Sequence, residues 1–439
     1  MAGNGLGRGL AAFGAMAALL IAVGYAQSWS VSLAMLNLCL ISAIMALGLN
    51  IQWGYAGLFN AGVMGFVALG GLAAVLVSEP FRPEAWRAGG AGLGAAAASA
   101  LAAAALIAAI RRRMRPGLAR GALTAILAMG GYALARHFFD PAVEAIEAID
   151  PSSAGNIGGL GLPIILSWPV GGLFAAAAAW LVGKIALGLR SDYLAIATLG
   201  ISEIIIAIIK NEDWLARGVK NVSGLSRPVP YELELQQSAW FVAKAQSWGL
   251  DPAEASGLAV KAMYAGLFAA VLLAILWLAE RALRSPWGRM MRAIRDNEHA
   301  AAAMGKDVTA RHLQVFVLGS AVIGMAGAML TTLDGQFTPG TYNPLRYTFL
   351  IWVMVIVGGS GNNWGAVLGG FLIWFVWVQA EPAGLMLAET VGALLPEGSP
   401  LAQALSEGAP HMRMIFMGLI LLLVLRFAPR GILPEKIRR

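Results

Sequence analysis

A single cysteine in 439 residues, Cys39, excludes an intramolecular disulfide and any cysteine-based metal cluster. The four histidines, His137, His299, His312 and His411, are scattered, and none falls in an HExxH or related spacing. No GxxxxGKS/T phosphate loop occurs, so the chain is not expected to hydrolyse ATP and carries no sign of a cofactor site. Charge is scarce as well. Only 13% of residues are Asp, Glu, Lys or Arg, against about a quarter in soluble domains. With 59% hydrophobic residues and a mean hydropathy of +0.71, that balance excludes an ordinary soluble globule. The period-2 alternation of an outer-membrane barrel is also missing, so the spans are expected to be helices.

What is present is a succession of apolar stretches of roughly 17 to 23 residues, the length a helix needs to cross the hydrocarbon. They predict an all-α integral membrane protein, a polytopic bundle of about 10–12 transmembrane helices forming one transmembrane domain over 1–439, some of them broken. The first stretch, about 10–26, ends in Gly-Tyr-Ala before Gln27 and could be read as a cleaved signal, but a plain span is expected. The net charge of +7 comes from arginines clustered in short loops, where they set topology, so nucleic acid is not an expected partner. Alternation from a cytoplasmic C-terminal tail puts 280–312, 190–192 and 111–120 inside, with both termini cytoplasmic. The loops 79–87, 140–168, 211–260 and 381–411 then lie outside. The largest of these, 211–260, has room for a surface helix at about 231–248.

The longest strongly charged run, Glu280 to His312, is where the chain is best equipped to touch something other than lipid. Ser285 before Pro286 is a helix start, with a hydroxyl to cap free amides and a proline where no donor is needed. Arg289, Arg292 and Arg295 recur on one face, Glu298 follows, and Ala300 to Ala303 leave a smooth surface before Gly305 offers a left-handed stop. Asp307 or Thr309 can cap the next helix. A solvated loop between two spans is the plain alternative.

Two further stretches interrupt apolar sequence with glycines and amides. In GLNIQWGYAGLFNAG, Asn50, Gln52 and Asn60 stand among Gly48, Gly54, Gly57 and Gly62. In GGSGNNWG, Asn362 and Asn363 follow Gly358, Gly359 and Gly361. Such breaks are either tight turns or discontinuous backbone lining a pathway, tolerated at membrane depth only where protein or water satisfies the peptide groups. Within SDYLAIATLGISEIIIAIIKN, Thr198 and Glu203 are candidate path residues. A carboxylate at mid-membrane costs about 2.5–3.5 kcal/mol on insertion scales, so Glu203 should face protein, water or a partner.

The run Arg-Ala-Ile-Arg-Asp-Asn-Glu, alanines, Met-Gly resembles the coupling ("EAA") loop of ABC importer permeases, in the form found in the branched-chain amino acid permeases. His299 holds the place of that motif's glutamate, and Glu298 lies one residue earlier. The first break is similar to the family's ALGLN…GYxGxxxxG run, the Glu203 stretch to (G/S)DYxAIxTLxxxEII, the second break to VVLGGxGSxxGPxxG, and the tail PRGIL to RPxGLL. The loop at 216–228 keeps only the second half of TGGxxGIxGIPRP, having lost the double glycine.

The resemblance, from residue 36 onward and weakest over 111–168, implies an M-type permease subunit of a branched-chain amino acid ABC importer in a bacterial inner membrane. Its implied partners are two ABC ATPase subunits, a second (H-type) permease subunit, a periplasmic substrate-binding protein and membrane lipid. ATPase coupling would rest on Arg292, Arg295, Glu298, Ala300, Ala301 and Gly305. The translocation path would use Asn50, Gln52, Asn60, Thr198, Glu203 and Asn362. A sister permease for urea or short amides would share these motifs. A secondary transporter would need more ion-coupling acids within the spans than Glu203 supplies.

Overall fold

The computed structural model describes residues 3–149, 155–393, 407–408 and 411–435. Asp150, much of the 381–411 loop and the last four basic-tail residues lie outside the described residues. Among the described residues the chain is almost wholly helical, and nine helices are long and apolar enough to cross a membrane. They are α1 (Gly3–Ala26), α2 (Trp29–Ala56), α4 (Pro83–Arg113), α5 (Leu118–Glu147), α6 (Ser167–Ala186), α7 (Ser191–Asn211), α11 (Pro252–Arg284), α14 (Val308–Asp334) and α16 (Asn363–Gly392). Three shorter apolar helices, α3 (Val63–Ser78), α15 (Pro344–Gly358) and α17 (Met412–Phe427), complete the bundle. The expected polytopic all-α architecture is what the chain forms.

α2 is the axis of the bundle, with α1, α11, α14, α15 and α16 packed around it. Most of its residues from Cys39 to Ala56 are buried. Lipid gives no hydrophobic drive for helices to associate, so close backbone approach between small residues must hold them. Gly48 of α2 lies against Gly319 of α14, Gly70 of α3 against Gly324, and Gly327 against the Val67 backbone. A Cβ on Gly70 would fall on the Gly324 carbonyl oxygen. Gly171 of α6 joins the same crossing, and Trp168 donates its indole N–H to Thr332 Oγ1 at 3.0 Å.

The α4–α5 hairpin stands apart. Its two helices pack on each other through Gly89, Gly92 and Gly131, while most other side chains on both are exposed. It is tied to the bundle at one end, where Trp86 Nε1 donates to the Ile157 carbonyl and Phe139 meets Trp214 edge-on.

The polar segment after α7 contains α8 (Asp213–Ala216), α9 (Glu232–Gln237) and α10 (Ala239–Ser247). The single surface helix expected at 231–248 is two, because the chain turns extended at Ser238 between α9 and α10. A two-residue strand, β1 (Val222–Ser223), pairs antiparallel with β2 (Gln336–Phe337), and so lays this segment over the end of α14.

Candidate coupling and translocation site

The charged run folds as two short helices rather than the one expected. α12 (Pro286–Asp296) is capped by Ser285, whose hydroxyl accepts from Gly288 N, and has Pro286 at its first position. It stops at Asn297, which turns extended and accepts the Ala300 amide at 3.0 Å, opening α13 (Glu298–Ala303). An asparagine side chain outcompetes the helix for its own backbone and gains a cap. Gly305 has φ +77° and ends α13, and Asp307 caps α14 through Ala310 N at 3.0 Å.

The side chains sort into two sets. Arg292 reaches back to the carbonyls of Leu283 and Gly288, pinning α12 to the end of α11. Arg295 points into the bundle: it donates to the Gly54 carbonyl and pairs with Glu435 at 2.9 Å. Ala301 is buried, so its methyl belongs to the loop's own packing. Arg289, Glu298, Ala300, Ala302, Ala303 and Met304 are the exposed face of the pair.

Arg295 lands where the two glycine breaks meet. α2 carries on through the first polar residues of this stretch to Ala56 and is stopped by Gly57 in the left-handed region, φ +70°. Asn50 and Gln52 are therefore helical, and only Asn60 sits in the first break. All three are fully buried. Gln52 donates to the Phe316 carbonyl and Ser320 Oγ, both at 2.9 Å, and accepts from Asn60 Nδ2 at 2.9 Å. Asn60 in turn accepts from Gly62 N and, at its carbonyl, from Trp352 Nε1 at 2.9 Å. Asn50 crosses to the second break, accepting from Gly361 N at 2.8 Å and donating to Asn363 Oδ1 at 3.1 Å. Tyr55 donates to the same Asn363 oxygen, and Asn363 Nδ2 donates to Glu280 Oε1 at 3.1 Å.

The breaks thus form one buried polar knot, which meets the requirement that irregular backbone at depth be satisfied by protein. α3 and α15 are 16 and 15 residues long, or about 24 and 22 Å at the α-helical rise, short of the ~30 Å hydrocarbon core. The tail lies across the second break. Ile432 N and Leu433 N donate to the carbonyls of Val357 and Gly358, both at 2.9 Å, and Asn362 donates to the Leu433 carbonyl at 3.0 Å. Gly359 and Gly431, both at positive φ, are packed backbone to backbone, an approach no side chain would permit.

Thr198 is buried on the inner face of α7, where its hydroxyl accepts from Ala61 N at 3.0 Å and so braces the first break. Glu203, on the same helix, is exposed on the opposite face with Tyr193, Ile196, Gly200 and Ala207. The six candidate path residues therefore separate: five hold backbone in place, and Glu203 alone stands on an outer surface. Sequence reasoning gave no role to Tyr55 or Glu435, and named Asn363 and Glu280 only as members of the second break and the charged run. The Asn362–Asn363 doublet and the acid at the polar end of α11 were the available signals; nothing in the sequence pointed to Glu435.

The family model for the branched-chain amino acid transport system permease component matches residues 31–137 and 117–425. The high-affinity branched-chain amino acid transport system permease protein LivM of Escherichia coli is 30% identical over 212 residues, 47% of this chain and 48% of that protein. The Salmonella typhimurium LivM protein aligns to the same extent. The match thus spans about half the length of these two curated relatives. A probable branched-chain amino acid transport permease protein LivM of Methanocaldococcus jannaschii is 27% identical over 342 residues, 73% of this chain and 85% of that protein. No solved structure matches. With the family model covering most of its length, and with its multi-pass helical bundle, the chain belongs to the branched-chain amino acid transport permease family.

Proposed function

We propose that this chain is the M-type permease subunit of an ATP-driven importer in a bacterial inner membrane, forming part of the path for branched-chain or related neutral amino acids. Both termini face the cytoplasm in this reading. ATP is hydrolysed by two separate ABC subunits, a soluble binding protein delivers the solute, and an H-type permease completes the path.

The observation that carries the reading is the position of Arg295. One guanidinium joins the charged α12–α13 pair to the first break through Gly54 and to the tail over the second break through Glu435. A push on the exposed alanine face of α13 is delivered to both breaks at once, which is what a coupling element needs. Glu203 supports the second permease as neighbour. A mid-span acid on an outward face needs a partner other than lipid, and Gly200 and Ala207 on either side of it let another helix come close.

The test is cross-linking in a Cys39→Ala background. A cysteine at Ala303 should couple to an ATPase subunit, and one at Gly200 to the second permease. Labelling of Arg289→Cys by an impermeant reagent from outside intact cells would overturn the orientation and the coupling role with it.

A further inference from the structure

A cavity of about 280 Å³ opens between α2, α14 and α15, away from the coupling helices and outside the knot of the two breaks. Its walls are apolar: Ile41 and Met45 from α2, Leu330 from α14, Leu350 and Met354 from α15. Asp334, the last residue of α14, is exposed and lines it. Since α14 leaves the coupling loop, its far end lies on the extracytoplasmic side in the proposed orientation.

Asp334 takes part in none of the ion pairs among the described residues. Arg346 on α15 is instead turned onto the Trp377 ring, with its guanidinium 4.8 Å from the centroid. The carboxylate sits at a helix C-terminus, where the carbonyl ends already favour positive charge, so helix and acid act in the same direction. Trp374, which also lines the cavity, has a buried indole N–H without a hydrogen-bond partner among the described residues. Tyr342 closes one side; burial pushes its phenol up from the ordinary value, so it stays neutral, and it lies 3.3 Å from Thr331 Oγ1.

We infer that this cavity is an entry site for an aliphatic ammonium compound, with Asp334 pairing the ammonium group and the α2–α15 walls enclosing the hydrocarbon chain; it rests on the proposed neutral amino acid path for its physiological ligand. An inorganic cation fits the chemistry less well, because a calcium-like ion takes six to eight oxygen ligands and the described residues hold no group of three or more acidic or other ligating side chains. The volume sits at the lower edge of the ~300–1,000 Å³ typical of ligand pockets, which suits one small amino acid and excludes a peptide.

Equilibrium binding of radiolabelled 3-methylbutylamine to the assembled complex in lipid nanodiscs tests the site. Saturable binding is expected, unaffected by 4-methylpentanoate and competed by leucine. Asp334→Asn should weaken it by about tenfold or more, the loss of a charge-assisted pair. Leu330→Trp, which fills the cavity and leaves the acid in place, should abolish it while the protein elutes as wild type. Binding absent from the wild type, or unchanged in Asp334→Asn, overturns the inference. Amine binding that depends on Asp334 but is not competed by leucine upholds the cavity and counts against the amino acid path.

Discussion

Arg295 and Glu435 meet at 2.9 Å although one lies in the charged loop and the other near the end of the chain. Both side chains are less than a quarter exposed, so solvent screens the pair less than a surface ion pair. A double-mutant cycle of Arg295→Gln and Glu435→Gln, read by thermal unfolding in detergent, should give a coupling of about 1–2 kcal/mol, between surface and buried cases. Arg295→Gln should also reduce substrate-stimulated ATP hydrolysis by the assembled complex. Glu435→Gln should do so to a smaller degree, since the Gly54 carbonyl keeps its donor.

Neighbouring alanines in α13 should respond differently. Ala301 is buried, so Ala301→Glu puts an unpaired charge inside the loop and should lower the yield of folded protein. Ala303→Arg changes only the exposed face and should leave folding intact while abolishing co-purification with the ATPase subunits. Size-exclusion elution and pull-down separate the two effects.

The glycine crossings give a stability prediction. Gly70→Ala and Gly327→Ala each drive a methyl into the backbone of the facing helix and should cost about 1–3 kcal/mol. Gly94→Ala and Gly121→Ala have open space at the same position and should change stability by less than about 1 kcal/mol, with a small gain from helix propensity. Thermal unfolding of the four variants is the check.

Gln52→Leu should loosen the first break. It removes the acceptor of Asn60 Nδ2 and the donor to Phe316 and Ser320, leaving buried polar groups unpaired at about 1–3 kcal/mol in total. Amide exchange in 57–62 should quicken relative to 63–78. Equal protection in wild type and variant would mean that the amide knot does not hold the loop.

These outcomes separate what the sequence declares from what only folding reveals. The Ser285–Pro286 start and the Gly305 stop follow from local rules that act over a few residues and are where those rules put them, whereas α5 and α11 extend into 140–147 and 252–260, segments expected to be loops. The break at Asn297 is also local, an amide capping α13 from inside the charged run. The meeting of the two breaks was not legible, since Asn50 and Gly361 are joined only by the packing of α2 against α16. The partners of Gln52 were not legible either, because a glutamine that braces backbone and one that lines a path have the same sequence signature. Glu203 was expected to avoid lipid, and its outward position on α7 is what the proposed contact with a second permease would have to account for.

Uptake by the reconstituted assembly is the most direct measurement of the central claim. Proteoliposomes holding this chain, an H-type permease and two ATPase subunits, supplied with the binding protein and internal ATP, should accumulate leucine, isoleucine or valine. Omission of any one component, or of ATP, should stop uptake. Accumulation of urea or short amides with no neutral amino acid would contradict the substrate, and uptake that persists without the ATPases, driven by an ion gradient, would contradict the mechanism itself.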